Sequence, residues 1–181
     1  YWLYGTAALI TLVSVAAPVG DGPPVAALAW LWPLLLWAEL GTRSRTYHTH
    51  TLVFAAPEPR RAQFWAPWLA GVALALAATA VLVFKAVASG SITQGLGMLI
   101  GALFVPSLAL ACGVWSGNGR LFQVVYLLWW FSAAVGNTWL DFMAYGEVTA
   151  AAGTPLVYLC LAVLLLLAAY MGETHTRKHL L

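Results

Sequence analysis

Apolar stretches long enough to cross a bilayer follow one another almost end to end along this chain, and charge is concentrated in the gaps between them and at their ends. They cover residues 1–19, 24–40, 68–88, 95–115, 121–136 and 155–172. A span needs about 20 mostly apolar residues to cross a hydrocarbon core of roughly 30 Å. Lipid offers the backbone no hydrogen-bond partner, so each stretch must satisfy its own N–H and C=O groups, which a helix does within one segment. The expectation is an all-α polytopic membrane protein with six transmembrane helices.

Composition supports that expectation. Charged residues make up 8% and hydrophobic residues 62% of the chain, whereas soluble domains carry about 25% charged residues. A water-facing surface cannot be built from this inventory. Six spans and their connections use all 181 residues, so a single transmembrane domain over residues 1–181 is expected. The net charge of +2 gives no case for a nucleic-acid partner. Cys112 and Cys160 fall inside expected spans and read as small packing residues. The chain opens at Tyr1 inside an apolar run, without a basic n-region or a cleavage site. It does not resemble a signal peptide, and a further N-terminal stretch is expected to precede it.

Charge then orients the spans. Arg43, Arg45, Arg60 and Arg61 lie between the second and third, Arg120 between the fourth and fifth, and Arg177 and Lys178 after the sixth. If the spans alternate, these residues share one face, which the positive-inside rule assigns to the cytoplasm. The opposite face receives Asp21, Lys85, Asp141 and Glu147. Both termini are therefore expected in the cytoplasm. Gly20-Asp21-Gly22-Pro23-Pro24 reads as an outer turn and Ser116-Gly117-Asn118-Gly119 as an inner one.

Three places depart from plain spans. Arg60-Arg61-Ala62-Gln63-Phe64-Trp65 puts charge before aromatics, which suits a short interfacial helix in the loop after the second span, with Pro59 at its start. Pro106 lies inside the fourth span and is expected to kink it. Residues 137–153 hold Trp139, Asp141, Phe142, Tyr145 and Glu147, too polar for a span and too aromatic for a free loop. They are expected on the outer membrane face, as a re-entrant or interfacial segment. Trp2, Trp65, Trp68, Trp115 and Trp139 stand near span ends, where an indole sits well at headgroup level. Trp129 and Trp130 are deeper and suit packing against another helix or a lipid tail.

Chemistry-bearing patterns are sparse. The pairs His48/His50 and His175/His179 lack a third ligand beside them. The Gly117–Arg120 stretch lacks the Gly-x4-Gly-Lys-Ser/Thr order of a phosphate loop. Ionisable groups at membrane depth, which ion-coupled transport needs, are nearly missing: Glu39 and Lys85 sit at span ends, where they can snorkel to water. No catalytic role is therefore expected.

Residues 41–61 resemble the cytoplasmic loop of type-2 ABC exporter permeases. Gly41, Arg43, Thr51, Leu52, Pro57 and Arg61 occupy comparable places, although the acidic residue usual after the arginine is missing. Phe104-Val105-Pro106-Ser107-Leu108-Ala109-Leu110, the run Arg120-Leu121-Phe122-Gln123-Val124-Val125-Tyr126 after Gly117, and Leu140-Asp141-Phe142-Met143 carry the same resemblance. It implies a permease in the bacterial inner membrane, paired with a second permease subunit and with an ABC ATPase subunit that holds ATP and Mg. The chain itself would hold no cofactor. Arg43, Arg45, Arg60 and Arg61 would then be candidates for ATPase docking, Pro106 for gating, and Trp139, Asp141 and Tyr145 for the outer segment. The competing expectation is a non-catalytic structural subunit of a respiratory or photosynthetic membrane complex.

Overall fold

The computed structural model describes residues 23–42, 59–144 and 153–178, together with positions 5, 6, 9 and 13, all four helical. The first expected span otherwise lies outside the described residues. Helix is the only regular structure among them: α1 (Pro23–Leu31), α2 (Leu34–Ala38), α3 (Pro59–Ala88), α4 (Ile92–Ser116), α5 (Gly119–Ala134) and α6 (Thr154–Lys178). Within α3, α4 and α6, the segments Phe64–Ala88, Ile92–Ser116 and Thr154–Thr174 are long and apolar enough to cross a membrane.

The second expected span is not one helix. Pro33 has no N–H to offer the preceding turn, and α1 stops at Leu31. Trp32 N–H closes α1 on Leu28 O, and α2 restarts when Leu36 and Trp37 both donate to Pro33 O, at 2.9 and 3.0 Å. The third span is longer than expected. α3 does begin at Pro59, but it runs through Pro67 to Ala88 without interruption, so residues 60–65 belong to the long helix rather than to a separate short one. α4 likewise continues through Pro106 as one helix.

The turns follow from local chemistry. Gly90 and Gly136 take φ values of 86° and 94°, a left-handed conformation that glycine adopts without a Cβ penalty. Each is bracketed by paired capping bonds, Gly90 N–H to Val87 O with Ser91 N–H to Ala86 O, and Gly136 N–H to Ala133 O with Asn137 N–H to Ser132 O. These are Schellman closures, which satisfy the last carbonyls of α3 and α5. Between α4 and α5, Asn118 caps the new helix by accepting from Arg120 N–H at 2.9 Å. The tight turn expected over residues 116–119 is thus present.

α4 is the central helix. Of its apolar window 72% is buried, against 28% for α3 and 22% for α6. α3 and α6 pack along it and α5 lies beside it. The largest core cluster joins Trp30, Trp37, Phe104, Phe122, Tyr126, Phe142 and Tyr158 with small residues from α3, α4 and α6. A second cluster joins Phe64, Leu110, Ala111 and Ala169. Buried hydroxyls bond back to their own helices: Thr79 to Ala75 O at 2.8 Å, Ser107 to Leu103 O at 2.7 Å.

Candidate functional site

Residues 141–144, in the connection between α5 and α6, are buried in the bundle rather than resting on its outside. The first residues of that connection form two short side-chain turns, with Asn137 Oδ1 accepting from Trp139 N–H and Asp141 Oδ1 from Met143 N–H, each at 3.1 Å. These bends carry the chain inward. Trp139 remains 85% exposed, while Asp141 falls to 6% and Phe142 to 2%. Of the outer-segment candidates, Trp139 and Asp141 are thus split between surface and interior. Tyr145 lies outside the described residues.

Phe142 is the hub of an aromatic cage. Its ring meets Trp30 edge-on at 5.4 Å, Tyr126 at 5.8 Å, Phe104 at 5.9 Å and Tyr158 at 6.5 Å. Such edge and tilted contacts suit aromatic quadrupoles. The backbone of the segment comes equally close, because α4 offers Gly97 and Gly101 there. A methyl group on Gly101 would strike Phe142 O, and one on Gly97 would strike the Ala144 methyl. The polar edge is closed by Tyr158, whose hydroxyl accepts from Trp129 Nε1–H at 3.0 Å and donates to Trp139 O at 3.2 Å.

The broken helix supplies the far wall of the cage. Tyr126 O–H donates to Trp30 O at 2.6 Å and Trp130 Nε1–H to Ala27 O at 2.8 Å, so α5 side chains satisfy carbonyls near the α1–α2 break. Trp30 is fully buried, and its indole N–H has no partner among the described residues.

The remaining candidates fall elsewhere. Arg43 and Arg45 lie outside the described residues. Arg60 and Arg61 occupy the first turn of α3. Pro106 is buried in α4 against Gly71 of α3, where an added Cβ would lie 3.0 Å from its ring. One residue further, Trp68 Nε1–H donates to Ser107 Oγ at 3.0 Å, tying α3 to α4. Pro106 is thus brought to the α3–α4 seam, while the outer segment seats on α4 at Gly97 and Gly101. Cys112 is half-buried, but Cys160 is exposed on α6 rather than packed inside.

His48, His50 and His179 lie outside the described residues, and His175 falls on α6. Among the described residues no group of three His, Cys, Asp or Glu side chains is placed to hold a metal. Among the described residues the cage presents packed aromatic rings and one indole N–H without an acceptor. Phe142 stands within the Leu140-Asp141-Phe142-Met143 stretch, but its burial was not legible from polarity. The signal was the Gly97-x3-Gly101 spacing, which marks a place of close approach on a membrane helix.

No family model, no curated protein and no solved structure matches the chain.

Proposed function

We propose that this chain is the permease subunit of an ATP-driven exporter of the type-2 ABC class, crossing a bacterial inner membrane six times with both ends in the cytoplasm. A second permease subunit completes the path, and a separate ATPase binds and hydrolyses ATP with Mg. The observation that carries this reading is the unbroken course of α3 from Arg60 and Arg61 into the packed interior. The helix is continuous through Pro67, so a displacement of its basic end reaches Trp68 on Ser107 and Gly71 on Trp37 along one element. The six-span charge bias and the loop resemblance support the same reading.

In this reading the ATPase docks on the connector that carries Arg43, Arg45, Arg60 and Arg61. Closure of two ATPases tilts α3 against α4, with Pro106 at their contact, and the path opens between permease subunits. Cross-linking in native membranes followed by affinity purification of the full chain should recover a nucleotide-hydrolysing partner. The double variant Arg60→Ala/Arg61→Ala should recover several-fold less. Equal recovery would remove the docking assignment, and absence of any such partner from the wild-type sample would remove the function.

A further inference from the structure

Two segments from opposite ends of the sequence sit on α4 through contacts that have no side-chain slack. At one end the backbone of Gly41 lies on that of Gly113. A methyl group on Gly113 would stand 2.7 Å from Gly41 Cα, and one on Gly41 would stand 2.8 Å from Leu110 O and 2.9 Å from Gly113 Cα. At the other end the outer segment presses its own backbone and the Ala144 methyl onto Gly101 and Gly97. No rotamer change can relieve either contact. Between Gly113 and Gly97 the helix rises roughly 24 Å.

The outer seat shows signs of a second arrangement. Ala144 holds φ at 51°, a left-handed conformation disfavoured for a residue with a side chain. The Trp30 indole N–H is sealed beside Phe142 without a partner among the described residues, which an interior donor tolerates poorly. Both costs belong to the seated segment. Withdrawal of residues 141–144 would relax the first and unpack Phe142 from the second.

We infer that α4 transmits movement between the two seats: a shift of the connector at Gly41 displaces α4 and loosens residues 141–144 from Gly97 and Gly101. Coupling of this kind needs an element with two arrangements that both sites bias, and the strained outer segment is that element. The inference holds whether or not the chain is an exporter, because it concerns contacts within this chain alone.

The test uses the full chain carrying Cys112→Ala and Cys160→Ala, in nanodiscs that leave both faces open to a maleimide reagent. Met143→Cys reports release of the seated segment, and Trp139→Cys gives the exposed reference rate. Without further change, position 143 should react far more slowly than 139. Gly113→Ala should raise the rate at 143 about fivefold or more, the low end of coupling between distinct sites. Gly41→Ala should do the same from the connector side, and the rate at 139 should not move. Gly172→Ala is the control for general loosening, because its methyl would meet the side chains of Trp115 and Val114, each at 2.9 Å; it should leave 143 protected. An unchanged rate at 143 in Gly113→Ala and Gly41→Ala overturns the inference, as does an equal rise in Gly172→Ala. Should one of the two variants not fold, the other decides. Failure of both to give folded protein would mark the contact as structural only and count against transmission.

Discussion

Trp37, Trp68, Trp115, Trp129 and Trp130 each donate an indole N–H to an acceptor on a different helix. Position in the sequence suggested headgroup anchoring for Trp68 and Trp115, because both stand near span ends. An indole wants one wet or polar end, and a protein carbonyl or hydroxyl satisfies it as well as a headgroup does. Which of the two it meets depends on neighbours distant in sequence, which a linear reading does not supply. Packing of Trp129 and Trp130 on other helices was legible, and both do so through Tyr158 and Ala27. The same limit applies to Gly101: its spacing from Gly97 announced a close approach without naming what approaches. Overpacking at such a contact costs about 1–3 kcal/mol. Gly101→Ala should therefore lower the thermal unfolding midpoint in detergent more than Tyr126→Phe, which removes one hydrogen bond to Trp30 O and should cost about 0.5–1.5 kcal/mol. The reverse order would mean that the outer segment yields easily at Phe142.

Pro33 and Pro106 lie in apolar runs of similar character, yet one divides a helix and the other does not. The difference lies in their surroundings. α4 is gripped along its length by α3 and α6, so the interrupted turn at Pro106 is held in register by packing on both sides. The chain at Pro33 is short, and α5 offers Tyr126 and Trp130 to the carbonyls of Trp30 and Ala27. A break there leaves fewer groups unsatisfied. Sequence thus locates weak points in helices but not their outcome, which is settled by the neighbouring elements. Element ends with their own local chemistry were easier to read, as at residues 116–119. Asn118→Ala should remove the cap of α5 at a cost of about 1 kcal/mol. It should show as faster hydrogen exchange at the Arg120 amide, and an unchanged rate would mean that the turn is held by Ser116, whose hydroxyl accepts from Asn118 N–H.

At the scale of the molecule, helix class and three of the long apolar helices could be read from composition and run length alone. The sidedness of the chain rests on charge bias, and it makes a direct prediction. Cysteines placed at 21 and 147 should react with an impermeant reagent added to intact cells, while those at 45 and 177 should be protected; the opposite pattern would invert the arrangement and detach Arg60 and Arg61 from any cytoplasmic partner. The cargo of the proposed permease was not legible, because the apolar spans carry no charge pattern by which to name one. One feature of the fold also bears on the lipid itself. α5 has 16 residues and so reaches only about 24 Å, some 6 Å less than a typical hydrocarbon slab. In the proposed six-span arrangement α5 is a span, and there the two leaflets would pinch toward each other and gather a short-chain lipid collar at that flank before the protein has moved at all.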